Sequence, residues 1–91
     1  SSFHIGNIIE IIVAKNAPLC EDLEEFAEVE FIEKINENKQ IIHLKSDINL
    51  DLSISKILSR AMKQNCKIRH FNIVKPSLED VYLKYVGGEI N

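Results

Sequence analysis

The sequence predicts an α+β domain in which two helices lie on one face of a four-stranded antiparallel sheet and a third helix follows. Three observations lead there. Ile8-Ile9-Glu10-Ile11-Ile12-Val13 is β-branched and apolar on both side-chain parities. Such a strand lies inside a sheet with both faces at least partly covered, since a surface strand alternates. Residues 29–44 read as two strands around an asparagine-rich turn. Segments of helical spacing stand before and after that hairpin.

After the first strand, Pro18 suits the opening turn of a helix, where its missing N–H costs nothing. Leu19, Leu23, Phe26 and Ala27 recur at helical spacing, with Glu21, Asp22, Glu24, Glu25 and Glu28 opposite. Val29 to Ile35 and Gln40 to Leu44 are the hairpin strands, joined through Asn36-Glu37-Asn38-Lys39. Asparagine tolerates the left-handed conformation of tight turns, but without glycine a three- or four-residue loop is expected. Asp51 is the expected cap of the second helix, with Ile54, Ile57, Leu58, Ala61 and Met62 as its buried stripe. Lys56, Arg60 and Lys63 fall outside that stripe, and Asn65 is a left-handed stop. Ile68 to Val74 is the fourth strand, where the differing parities of Ile68 and Phe71 hint at a bulge. The order is βαββαβ, the split-βαβ or ferredoxin-like arrangement, with an added C-terminal helix from Pro76 to Gly88.

At 91 residues the chain makes one domain, 1–91, with a single modest core. Its 45% apolar and 27% charged residues exclude intrinsic disorder. The longest apolar stretch, Ile8 to Ala14, is interrupted by Glu10 and far too short to span a bilayer. No segment has the charged start, apolar middle and small-residue cleavage site of a secretory signal. Cys20 and Cys66 lie far apart without a CxxC spacing, as buried reduced thiols do. The chain does not begin with methionine, and we expect a piece of something longer.

Charge is uneven. Residues 1–50 hold four Lys against ten Asp and Glu, whereas residues 51–91 hold seven Lys and Arg against four acids. The net charge of −3 argues against a nucleic-acid partner, which needs a basic face. The acidic run from Glu21 to Glu37 is expected to be a solvated helix face.

The closing helix is the most specific stretch. Pro76 forces Lys75 to be extended. Ser77 is a strong N-cap, and Asp80 completes a short-armed capping box. Leu78, Val81, Tyr82 and Tyr85 line one face before Gly87-Gly88, so the helix is expected to dock through them. Pro76-Ser77-Leu78-Glu79-Asp80-Val81-Tyr82-Leu83 resembles the PSLEDVF-L motif near the C-terminus of many bacterial ABC transporter ATP-binding subunits, especially of the ABC-2 exporter type. Tyr82 stands where phenylalanine is commoner, which adds a hydroxyl and keeps the ring.

The resemblance implies a non-catalytic accessory domain that follows a nucleotide-binding domain. Implied partners are that domain, a second ATPase subunit and, indirectly, the membrane permease, on the cytoplasmic side of the cell membrane. ATP and magnesium are implied for the parent protein and none for this fragment. The phosphate-cradling GxxxxGK[ST] is missing, as the only glycines are Gly6, Gly87 and Gly88.

Candidate chemistry elsewhere is thin. Glu10, His43 and His70 are expected to share one sheet face, with the two imidazoles ~10 Å apart and too distant for one metal. Cys20, at the start of the expected first helix, is a candidate for a lowered pKa but fits packing better. Ser53, Ser55 and Ser59 are expected on the surface or at caps, without nucleophile-elbow glycines. Phe31 and Phe71 are expected in the core, since an RNA-binding sheet needs a basic surround. The ladder Lys56, Arg60, Lys63, with Lys67 and Arg69, could meet an acidic patch on a second copy or on the upstream domain. An ACT-like small-molecule sensor is the alternative, although such domains place glycine in the turn where this chain has Lys15-Asn16-Ala17-Pro18.

Overall fold

The structure, a computed structural model, describes residues 6–75. The expected C-terminal helix, its caps Ser77 and Asp80, and its docking residues Leu78, Val81, Tyr82 and Tyr85 lie outside the described residues, as does His4.

Four strands form one sheet: β1 (Ile8–Val13), β2 (Val29–Asn36), β3 (Lys39–Leu44) and β4 (Ile68–Val74). Their order across the sheet is β2-β3-β1-β4, and every neighbouring pair is antiparallel. The doubly apolar β1 is therefore central. Both crossovers, β1 to β2 and β3 to β4, join strands with one strand lying between them, the split arrangement of an α+β domain. The second crossover carries a full helix, α1 (Leu50–Lys63), whereas the first contains only a 3-10 turn, Leu23–Glu25.

That turn replaces the helix expected from Pro18. Asp22 (φ 61°), inside the expected helix, takes a left-handed conformation that interrupts it, and Asn16 (φ 67°) does the same in the turn before it. The apolar residues of the segment still go inward: Cys20 and Leu23 are buried, with Leu19 and Phe26 packed against the core. Helical spacing thus marked burial rather than a helix. Two glutamines from distant elements hold the loop instead. Cys20 N donates to Gln40 Oε1 at 3.1 Å while Gln40 Nε2 donates to the Cys20 carbonyl at 3.4 Å. On the next residue, Glu21 N donates to Gln64 Oε1 at 2.8 Å while Gln64 Nε2 donates to the Glu21 carbonyl at 2.7 Å. Each amide reproduces a strand partner, so the backbone groups of Cys20 and Glu21 are satisfied without a ladder.

The hairpin turn is tighter than expected. Asn36 pairs with Lys39, leaving only Glu37 and Asn38 between the strands. Neither takes positive φ. An Asx bond from Asn38 N to Asn36 Oδ1 at 2.9 Å and a register shift between Lys34 and Asn36 accommodate the turn instead. Asn38 also accepts from Val13 N at 2.9 Å, tying the turn to the end of β1.

Helix α1 starts at a different cap from the one expected. Asn49 is the N-cap, its Oδ1 accepting from Leu52 N at 2.9 Å, and Asp51 sits in the first turn where it suits the dipole. At the other end Asn65 (φ 58°) ends the helix as predicted. Cys66 N donates to Ala61 O and Asn65 N to Met62 O, both at 3.0 Å, the paired bonds of a Schellman motif. The predicted bulge in the fourth strand is present: the register with β1 shifts between Ile12 and Val13, so that Val13 meets Ile68 and Arg69 is skipped.

The buried face of α1 is Ser53, Ile57 and Ala61, with Ile54 packed beside it. Met62, expected inside, is 75% exposed. The helix is rolled by roughly 50–60° from the expected stripe, counting 100° per residue. Ser53 and Ala61 are the small residues of that buried face. Ser53, expected at the surface, is buried, and its Oγ donates to the Asn49 carbonyl at 2.7 Å. The core comprises Ile9, Ile11 and Val13 of β1, Val29 of β2, Ile42 and Leu44 of β3, Ile57 and Ala61 of α1, and Cys20 and Leu23 of the first crossover. Each fully buried Ile or Leu contributes roughly 1.5–3 kcal/mol. Gly6 approaches the same layer so closely that a Cβ there would lie 2.6 Å from the Lys45 carbonyl oxygen.

Candidate interaction surfaces

The histidine and carboxylate expectations resolve on the second sheet face, opposite α1. Pairing of Ile8 with His43, of Ile12 with His70 and of Glu10 with Ile41 places Glu10, His43 and His70 on one face, as predicted. They divide into two groups. Glu10 accepts from Lys39 Nζ through Oε2 at 3.0 Å, and its Oε1 lies 3.0 Å from His70 Nε2. His43 turns the other way, its Nε2 lying 2.6 Å from Glu33 Oε1 on the edge strand β2. The hydrogen bond and charge of Lys39, with a smaller contribution from His70, hold the Glu10 carboxyl below its usual range.

Phe31 corrects a sequence expectation. It is 47% exposed and lies on the second face, its ring stacked on His43 with centroids 4.0 Å apart and planes 11° from parallel. Phe71, by contrast, packs against the core as expected. Among the described residues no group of three or more His, Cys, Asp or Glu is placed to hold a metal ion.

The acidic run is not a solvated helix face, and two members of the basic ladder meet it within the same domain. Lys56 Nζ donates to Glu28 Oε2 at 2.6 Å, and Arg60 donates to Glu25 Oε1 at 3.1 Å and to the Asp22 carbonyl at 2.8 Å. The Arg60 guanidinium also lies 4.4 Å over the Phe26 ring. The Lys56 bond lowers the Glu28 pKa, helped by a backbone hydrogen bond. These contacts pull one flank of α1 onto the first crossover, in the same sense as the roll that exposes Met62. Lys63, Lys67 and Arg69 remain exposed.

Cys20 has no helix dipole to lower its pKa. Burial, reinforced by hydrogen bonding with Cys66, pushes the thiol up to about 12. Cys66 is half-buried, and its Sγ lies 3.5 Å from Gln64 Oε1. The two thiols sit side by side where the loop meets the end of α1, a neighbourhood that their sequence separation concealed.

A further surface feature is the outer flank of α1. Leu58, half-buried, and the exposed Met62 line a shallow groove of about 510 Å³ with Ser55, Ser59 and Lys63. Leu52, on the same helix, is exposed as well. Sequence reasoning missed this strip because it assigned Met62 to the core. No helix among the described residues is long and apolar enough to cross a membrane.

Comparison with known proteins agrees with the C-terminal motif. Neither the curated proteins nor the solved structures contain a significant match. The profile of the family described as "ATP-binding protein DrrA1-3-like, C-terminal domain" matches residues 3–86, nearly the whole chain. The chain belongs to that family, and is a C-terminal accessory domain of an ABC transporter ATP-binding subunit.

Proposed function

We propose that the domain is an interaction module of its parent ATP-binding subunit and performs no chemistry of its own. It packs on the nucleotide-binding domain of the parent, and so supports association of two ATPase subunits and their coupling to a membrane permease. ATP and magnesium belong to the parent's nucleotide-binding domain, and the assembly works at the cytoplasmic face of the cell membrane.

The observation that carries this reading is the outer strip of α1, where Met62 is 75% exposed beside Leu58. An exposed methionine among serines is unbranched and polarizable, and adapts to a protein surface. The family supports the choice of occupant, because its members are the C-terminal part of an ATP-binding protein. The pairing of His43, His70, Lys56 and Arg60 with carboxylates of the same domain also favours a structural role for these groups.

The test is Met62→Asp in the parent subunit. An exposed substitution shifts domain stability by no more than about 0.5 kcal/mol, so assembly can be read separately from folding. Subunit association, or permease-coupled ATP turnover, is expected to fall severalfold. Full assembly and coupling in the variant would refute the assignment. Turnover of Mg-ATP by the 91-residue chain alone would refute the non-catalytic part.

A further inference from the structure

We infer that Cys66 and Cys20 form a thiol-oxidation site: Cys66 exchanges with a small disulfide such as oxidised glutathione, and Cys20 resolves the product to an internal bond. The chain has only two cysteines, and the fold packs both into one cluster. Their thiols share a hydrogen bond. Among the described residues no group of three His, Cys, Asp or Glu forms around them to hold a metal ion.

The backbone on both sides of the pair is held in place. Ala14 N donates to the Lys67 carbonyl at 2.8 Å, and Glu21 exchanges two hydrogen bonds with the Gln64 amide. These ties lace the first crossover to the segment after α1 on either side of the sulfurs. Gln64 Oε1 reaches both partners at once, accepting from Glu21 N at 2.8 Å and lying 3.5 Å from Cys66 Sγ. Gln40 fixes the Cys20 backbone, and Cys66 N donates to Ala61 O at 3.0 Å. A pair positioned this way needs little further ordering to react.

Exposure sets the order of events. Cys66 borders a surface cleft of about 180 Å³ with Pro18, Leu19, Glu21 and Gln64, whereas Cys20 is buried behind it. The Cys66 thiolate attacks one sulfur of the small disulfide, and the other sulfur leaves as a thiolate that takes up a proton. The Cys20 thiol then gives its proton to water, and its sulfur attacks Cys66 Sγ and expels the second small thiol. The two protein sulfurs are oxidised and the small disulfide is reduced to two thiols. Burial is the main hold on the Cys20 proton. The lesser holds, the hydrogen bond and charge of Cys66, end once Cys66 is in the mixed disulfide. The finished bond fastens the first crossover to the end of α1, and it is independent of the role assigned to Met62.

The test incubates the reduced 91-residue chain with oxidised glutathione. Intact mass is expected to show the loss of two hydrogens, and peptide mapping a link from Cys20 to Cys66, at a rate that does not change on dilution of the protein. Cys20→Ala should stop at one glutathione on Cys66, and Cys66→Ala should react about tenfold more slowly. Against the glutathione couple, the folded native chain should favour the internal bond about a hundredfold more than the same chain in urea. That comparison needs no variant, so it holds even where a substitution disturbs the core. Equal preference in both states would show that the fold does not present the pair, and would overturn the inference. So would thiols that stay reduced in the folded chain, a lasting glutathione adduct on it, or links formed only between copies.

Discussion

Gln40 holds Cys20 by both polar groups of its backbone, accepting from Cys20 N at 3.1 Å and donating to the Cys20 carbonyl at 3.4 Å. Gln40 is buried on the core face of β3, where an amide without partners is costly. Gln40→Leu keeps the volume but strands both backbone groups of Cys20. We expect a loss of about 2–3 kcal/mol in urea unfolding. Gln64→Ala, at the more exposed clamp on Glu21, should cost about 1 kcal/mol. Equal and negligible costs would show that the loop is held by its apolar residues alone.

The cap of α1 separates two neighbouring candidates. Asn49→Ala removes the acceptor for Leu52 N and should destabilise the domain by about 1 kcal/mol. Asp51→Ala removes only a first-turn charge and should cost a few tenths, roughly 0.3–0.5 kcal/mol. Thermal unfolding of both variants tests the order. A larger loss for Asp51→Ala would contradict the observed cap.

Acid stability should report the pairing of Glu28 with Lys56. The folded carboxyl titrates below its usual 4.5, so the folded state binds fewer protons than the unfolded chain in that range. Its contribution is complete above pH 4.5 and disappears as pH falls through the lowered folded value. Glu10, lowered chiefly by Lys39, acts in the same direction. Glu28→Gln should flatten the acid limb of the stability curve between neutral pH and pH 3 or so, as the linkage relation requires. An acid limb as steep as that of the native chain would remove Glu28 from the account.

The two thiols should differ in reactivity. The Cys20 thiol, pushed up to about 12 and buried, is protonated at neutral pH and shielded from reagents. Cys66 borders a surface cleft with Pro18, Leu19, Glu21 and Gln64. A thiol-specific reagent at pH 8 or so should therefore modify Cys66 first and reach Cys20 only at the rate of local opening. Peptide mapping after brief labelling measures this, and equal labelling of both would contradict the burial.

Much of the fold was legible because it rests on local chemistry. The double apolar parity of Ile8–Val13 announced a central strand, the parity change between Ile68 and Phe71 announced a bulge, and Asn65 ended α1 in the left-handed conformation expected of it. The shared face of Glu10, His43 and His70 followed from strand order and the two-residue period. Its division into two groups did not, because the choice between Glu33 and Glu10 as a histidine partner depends on side-chain reach across the finished sheet.

The sequence by itself determined which residues are apolar, where strands and the second helix run, and, through the letters of Pro76–Leu83, the family. Tertiary structure alone decided that the first crossover is a clamped loop. A single short amphipathic segment is marginal as an isolated helix, and here Gln40 and Gln64, 20 and 43 residues away from their partners, supply its backbone hydrogen bonds instead. It also decided the roll of α1. Local periodicity marks a stripe, but Glu25 and Glu28 drawing Arg60 and Lys56 toward the crossover turn Ser53, Ile57 and Ala61 to the core. These partners are distant in sequence, and only the folded chain brings them together.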